Sequence, residues 1–187
     1  VKKIKDYYHY QDLKNTIPIK SKTIHSDGLI DNIALAIKVA LDFGVPKKII
    51  VKTIPKIQFE GRVQYLIAGK FKKLLNSNEK LLIDGCHSMA SARNLYNYLK
   101  TLKEPIYGVW GMQKNKLPDQ FIESFNKIFK KLITITISSE PNALNADELA
   151  KIGNKYVSTR TATSIQNALK KISSHEDKTI VVFGSLY

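Results

Sequence analysis

Along the second half of the chain, short continuous apolar runs alternate with apolar positions spaced three or four apart. Lys80-Leu81-Leu82-Ile83 is a compact run that stops at Asp84-Gly85, which predicts a strand followed by a turn. Ala92, Leu95, Leu99 and Leu102 then share one helical face. Ile106 to Trp110 predicts a second strand, and Pro118 opens a helix carrying Phe121, Phe125, Ile128 and Leu132 on one side. The β-branched run 132–137 predicts a third strand. Asn145 with Glu148 three positions on is a capping-box pattern, starting a helix through about Ile152. A weak strand follows over 155–158. Thr161 or Thr163 then caps a helix with Ile165, Ala168, Leu169 and Ile172 inward, and 179–183 closes the chain as a buried strand. Strands alternating with helices of this length imply right-handed crossovers. The expected fold is α/β: a Rossmann-like, mostly parallel sheet with helices on both faces.

The first third is different. Residues 1–24 show no such alternation. Leu29 to Phe43 reads as an Ala/Ile/Leu-rich helix ended by Gly44, and 45–59 as a connection into Gly61-Arg62. Too small for a domain, residues 1–58 are read as the tail of a preceding domain plus a linker, with an α/β domain over 59–187.

Composition changes this picture only a little. The 187 residues carry a formal charge of +14, which raises the question of nucleic acid. Of 30 basic residues, however, only Arg62, Arg93 and Arg160 are arginine, and the lysines are scattered. Base reading and phosphate clamping favour the planar guanidinium fork, so no specific nucleic-acid partner is expected. No apolar run approaches the ~20 residues that cross a bilayer, and residues 1–8 lack the apolar stretch of a secretory signal. The single cysteine, Cys86, permits no internal disulfide, and the cytoplasm is the expected compartment.

The stretch with most chemical content is Asp84-Gly85-Cys86-His87-Ser88, at the carboxyl end of a predicted strand, where doubly wound sheets bind ligands. Asp84 there accepts hydrogen bonds from a ligand's hydroxyls or, alternatively, caps the next helix. Gly85 lets a ligand approach the backbone. His87, placed in the first helical turn, is expected to be neutral beside the helix dipole and to donate to a ligand or to backbone. Cys86 has no base and acid to activate it, and the four histidines match no metal-ligand spacing. No phosphate-loop pattern and no dinucleotide glycine fingerprint occurs.

With these residues laid out, a family resemblance emerges. Residues 84–89 resemble the D-G-A-H-N-P motif of folylpolyglutamate synthase and dihydrofolate synthase, relatives of the Mur ligases, and the ending Gly184-Ser185-Leu186-Tyr187 is similar to their G-S-L-Y signature. Gly61-Arg62-Val63-Gln64 resembles their linker motif, Asn32-Ile33-Ala34-Leu35-Ala36 the helix closing their central ATPase domain, and 141–149 their P-R-A-L-x-A-E-E-L pattern. The resemblance implies a Mur-ligase-type C-terminal domain preceded by a piece of the central domain. It implies an ADP-forming ligase in which ATP phosphorylates a folate or dihydropteroate carboxylate and glutamate's amine attacks the acyl phosphate. The phosphate loop and magnesium ligands would lie in a missing N-terminal ATPase domain, supplied in cis or trans, so this chain alone would be inactive. By the same resemblance Asn32 would meet the adenine, Arg62 the ATP phosphates and Asp84 the ribose. His87 and Ser88 would face the glutamate and phosphate region. From the residues alone, Arg62 reads rather as a solvated linker charge.

Departures cluster at ligand-facing turns. Ser88 and Met89 replace Asn-Pro, Gly28 stands for a histidine and Ser26 for a glycine, Asn142 stands for an arginine, and the loop 111–117 lacks two acids. A second reading is therefore a stand-alone remnant that binds a nucleotide or a protein and self-associates through its unpartnered face.

Overall fold

In the computed structural model, which describes residues 1–4, 7–21 and 24–185, the chain divides into two units, residues 1–60 and 61–187. Residues 1–24, expected to lack regular pattern, hold three antiparallel strands in the order β1 (Lys2–Ile4), β2 (Tyr7–Gln11), β3 (Thr16–Ile19). The alternation is real but hidden. Tyr10 supplies the inward position of β2, Ile17 and Ile19 those of β3, and Pro18 sits in an edge strand, where proline is tolerated. Helix α1 (Asp27–Asp42) buries Leu29, Ile30, Ile33 and Ile37. It ends in a Schellman turn: Val45 N–H reaches Ala40 O and Gly44 N–H reaches Leu41 O, with Gly44 left-handed at φ 76°. The predicted connection contains a further helix, α2 (Lys47–Thr53), which buries Ile50.

Residues 61–187 form the α/β sheet. Its strands are β4 (Gln64–Tyr65), β5 (Glu79–Asp84), β6 (Ile106–Trp110), β7 (Phe129–Thr134), β8 (Thr159–Thr161) and β9 (Lys178–Phe183), in the order β4-β5-β9-β6-β7-β8. From β5 to β8 every pairing is parallel, and β4 adds an antiparallel edge. Helices α3 (Met89–Leu99), α4 (Pro118–Glu123) and α5 (Ala146–Gly153) cover one face, where Leu95, Leu99, Phe121 and Leu149 pack on Leu82, Leu132 and Val181. Helix α6 (Ile165–Ile172) covers the other, setting Ala168, Leu169 and Ile172 against Leu81, Val109 and Ile180. All five residues of β6 are buried, as a central parallel strand requires. The fold is the α/β, Rossmann-like arrangement expected.

Several boundaries shift, each for a local reason. Helix α4 stops at Glu123, and Phe125 lies in the turns that follow, Lys127 being left-handed. Its ring still packs on Phe121, Phe129 and Phe183. Strand β7 starts three residues early because exposed Lys130 and Lys131 interrupt its apolar pattern. Residues 155–158 unwind α5, with Asn154 Oδ1 accepting from Thr159 N–H, so β8 begins only at Thr159. The cap of α6 is Ser164, not Thr161 or Thr163, its hydroxyl accepting from Asn167 N–H. The capping box of α5 forms as expected, with Glu148 N–H on Asn145 Oδ1 at 2.8 Å and Asn145 N–H on Glu148 Oε2 at 3.3 Å.

At the amino ends of the strands, Glu104 ties the α3–β6 connection to its neighbours. Its Oε1 accepts from Lys80 Nζ at 2.7 Å and Thr179 Oγ1 at 2.8 Å. The Lys80 hydrogen bond leads in lowering its carboxyl to about 2, from an ordinary 4.5. A depressed carboxyl stabilises the fold above its unfolded value and loses that contribution as pH falls through the folded one. Glu104→Gln is therefore expected to cost about 1–2 kcal/mol near neutrality, allowing for solvent screening, and only a small part of that near pH 2, where the folded carboxyl is about half protonated. Urea midpoints measured from pH 7 to pH 2 check this; a difference undiminished at pH 2 contradicts it.

Candidate functional site

The carboxyl ends of β5, β9 and β6 lie side by side, with Asp84 opposite Phe183 and Phe183 opposite Trp110. Three turns converge there: 85–88 after β5, Gly184-Ser185 after β9, and Gly111-Met112 after β6. Gly184, at φ 108°, has room for no side chain, since a Cβ would stand 2.3 Å from Gly111 O and 2.7 Å from Trp110 Cδ1. Beside it the indole Nε1 of fully buried Trp110 has no hydrogen-bond partner among the described residues. Leu186 and Tyr187, the rest of the expected signature, lie outside the described residues.

Asp84 is buried, at 7% exposure, and both carboxylate oxygens are engaged. Oδ2 accepts from Val63 N–H and Oδ1 from Cys86 N–H, each at 2.8 Å. The first bond reaches back 21 residues to the segment entering the sheet, where Gly85 N–H also donates to Gly61 O at 2.7 Å. Val63 there is held at φ 45°, a conformation that costs a β-branched residue on the order of 1–3 kcal/mol. Its burial and the Asp84 bond hold it there. Burial pushes the Asp84 carboxyl above its usual range, against the Val63 and Cys86 hydrogen bonds and the Arg62 charge. Burial, reinforced by the Asp84 charge, pushes the Cys86 thiol well up, so it remains a thiol packed between Asp84 and the Gly184 N–H.

The two alternatives left open for Asp84 are thereby narrowed. It does not cap α3. Ser88 does, in a reciprocal box with Ser91, and its hydroxyl lies 2.9 Å from that of Ser91. His87 consequently precedes the cap instead of entering the first turn, a one-step correction that follows from the cap's identity. Its Nδ1 lies 2.8 Å from Gly85 O, and because a carbonyl only accepts, Nδ1 carries the proton.

Arg62 is half-buried, and its Nη1 is closed off from solvent without a partner among the described residues. A guanidinium nitrogen in that state costs more than the ~1–3 kcal/mol of an unmet neutral donor, so an acceptor belongs opposite it. The reading of Arg62 as a freely solvated charge does not fit this burial. On the α6 face, Asp84 borders a mainly apolar cavity of about 240 Å³ between Leu66, Phe71, Ile83 and Val182. Arg62, Asp84, His87 and Ser88 thus share one edge of the second unit. Asn32 is exposed on α1 in the first unit. Sequence reasoning missed Val63 and Trp110; a valine signals no left-handed turn, and an indole in an apolar run reads as core. Among the described residues no three His, Cys, Asp or Glu side chains form a metal-ligand group, and no helix is long and apolar enough to cross a membrane.

Comparison with known proteins follows the same outline. The E. coli FolC protein in complex with ADP matches 98% of this chain with a TM-score of 0.77 at 17% identity, and the chain covers 42% of it. For the folylpolyglutamate synthase of Thermotoga maritima the values are 92%, 0.73, 21% and 39%. The UDP-N-acetylmuramate-alanine ligase MurC of Thermotoga maritima matches 91% at a TM-score of 0.67 and 11% identity, and the chain covers 36% of it. These likenesses establish the fold, and the chain spans about two fifths of each relative's length. A search of characterised sequences returned no significant match. The family described as dihydrofolate synthetase, C-terminal domain, matches residues 66–187, which include Asp84, His87, Ser88 and Gly184. With well over half of its residues in that match, the chain belongs to the dihydrofolate synthetase family and carries its C-terminal domain.

Proposed function

We propose that this chain supplies the closing, nucleotide-facing part of an ATP-dependent, ADP-forming ligase that joins glutamate to folate or dihydropteroate through an acyl phosphate. The observation that carries this reading is the buried Nη1 of Arg62, without a partner among the described residues, on a side chain whose charge acts on the Asp84 carboxylate at the carboxyl edge of the sheet. An arginine so placed is complementary to phosphoryl charge, which it stabilises most as that charge transfers. Asp84 holds the Arg62 turn in place through Val63 and accepts from a ribose hydroxyl with the lone pair that the Val63 and Cys86 N–H groups and the Cys86 thiol leave open. His87 and Ser88 border the glutamate and phosphate region, and Asn32 faces the adenine. Magnesium accompanies ATP and is held, with the phosphate loop, by the part of the ligase this chain does not span.

Residues 1–58, within the first unit, are then the tail of the central ATPase domain plus a linker. Leu35, Val39 and Phe43, at i, i+4 and i+8, stand 65%, 47% and 84% exposed and form an apolar stripe for that missing portion to cover. In a stand-alone remnant the same stripe would drive self-association instead.

The test is ADP release dependent on both folate and glutamate. The 187-residue chain by itself is expected to release none. Supplied with the phosphate-loop portion, in cis or trans, it is expected to become active, and Arg62→Ala is expected to lower the rate about 10²-fold. ADP release by the clean chain alone, or activity indifferent to glutamate, contradicts the proposal. Asp84→Ala is a poorer probe. It deprives two buried N–H groups of their acceptor and is expected to cost the fold about 1–3 kcal/mol besides any nucleotide affinity.

A further inference from the structure

The second unit also holds a cleft larger than the one beside Asp84. It measures about 500 Å³, on the α6 side of the sheet, between the outer strands β7 and β8 and the end of α6. Its floor is apolar, from Ile133 and Ile172, and hydroxyls of Ser158 and Ser173 line it. Five of its thirteen lining residues are cationic, against 30 of 187 in the whole chain, so the cleft exceeds the general lysine bias.

The charges divide into two kinds. Lys178 is spoken for: it is buried and paired with Glu79 at 3.7 Å. Lys131, Arg160 and Lys171 are not. The one carboxylate lining the cleft, Glu176, lies 3.9 Å from Lys130. Among the described residues, Lys171 Nζ donates only to a backbone carbonyl, Thr161 O, at 3.0 Å. No ion pair involves Lys131 or Arg160 among the described residues. The end of α6 brings carbonyls that oppose an anion, but Ile172 O already accepts from Lys178 Nζ and Leu169 O from Ser173 N–H. Gathering like charges around a concavity is unfavourable unless an anion joins them, and Arg160 provides a planar fork for two of its oxygens.

We infer that this cleft is a second ligand site, independent of the nucleotide-facing edge, for a small organic anion bearing two or more negative charges. Phosphate esters and polycarboxylates share that chemistry. The apolar floor and the volume fit a compact molecule in preference to an extended polymer.

Calorimetric titration of the whole chain with pyrophosphate, and separately with citrate, at about 0.15 M ionic strength tests this. Saturable one-to-one binding of either probe is expected, and which binds tighter identifies phosphate or carboxylate chemistry. Arg160→Ala with Lys171→Ala is expected to weaken it at least tenfold. Lys47→Ala with Lys48→Ala, in the first unit, is expected to leave it unchanged. Absence of saturable binding to both probes, or equal weakening in the control pair, overturns the inference as bulk electrostatics. Displacement of bound pyrophosphate by a short oligonucleotide, tightening with its length, overturns it in favour of nucleic acid.

Discussion

Lys178→Met is expected to destabilise the α/β unit by about 3–5 kcal/mol, because it leaves the Glu79 carboxylate buried without its cation. The two side chains are 2% and 0% exposed, and the pair sits where β5 and β9 begin. Burial pushes the Glu79 carboxyl up, but the Ser173 hydroxyl, the Ser174 and Asn76 N–H groups and the Lys178 charge outweigh it and hold the group below its ordinary value. Its Oε2 accepts from Ser173 Oγ at 2.6 Å and Asn76 N–H at 2.8 Å, and Oε1 from Ser174 N–H at 2.8 Å. On the other side, Lys178 Nζ reaches Ile172 O at 3.2 Å and lies 4.8 Å from the centre of the Tyr107 ring. One pair thus joins the loop before β5, the end of α6 and two central strands. A melting temperature about 10–20 °C lower is the expected readout. Glu79→Gln combined with Lys178→Met is expected to recover part of that loss, since the stranded charge is then gone. A single variant melting within a few degrees of the parent would show that water or a neighbour takes the place of the lysine.

Gly184→Ala is expected to cost about 3 kcal/mol or more and to disorder the candidate site along with the fold. Two effects combine. The backbone at φ 108° resists any side chain, and the added Cβ meets the Gly111 carbonyl and the Trp110 ring, neither of which is a flexible side-chain end. Gly44→Ala separates the two, because Gly44 is also left-handed but has nothing within 4 Å of its missing Cβ. That change is expected to cost only about 1 kcal/mol. Trp110 is the single tryptophan of the chain, so its emission reports the lesion directly. A red shift is expected for Gly184→Ala and none for Gly44→Ala. Equal stability losses in the two variants would mean that the clash is relieved by movement.

Much of this was legible beforehand, for definable reasons. Apolar runs such as 81–83 and 106–110 mark strands buried on both faces. Asn145 and Glu148 meet in a capping box because that contact is local. Errors fell where a local signal was ambiguous. Ser164 took the cap from two nearby threonines, and Lys130 and Lys131 hid the start of β7. Strands β2 and β3 escaped notice because Tyr10 stands in for an aliphatic residue and Pro18 argues against a strand. At the site, the motif around Asp84 was visible as a strand end followed by a turn. Its hydrogen bonds were not.

The sequence by itself determined the α/β alternation, the placing of Asp84 and Gly184 at strand ends, and the family, because these depend on periodicity and on residues near one another in the chain. Only the tertiary structure decided that Asp84 fastens Val63, 21 residues away, that Arg62 keeps a buried nitrogen without an acceptor among the described residues, and that Glu79 and Lys178 pair across the sheet. Each depends on contacts between segments distant in sequence. Which buried groups meet is settled by strand order, which sets the last strand, β9, between β5 and β6.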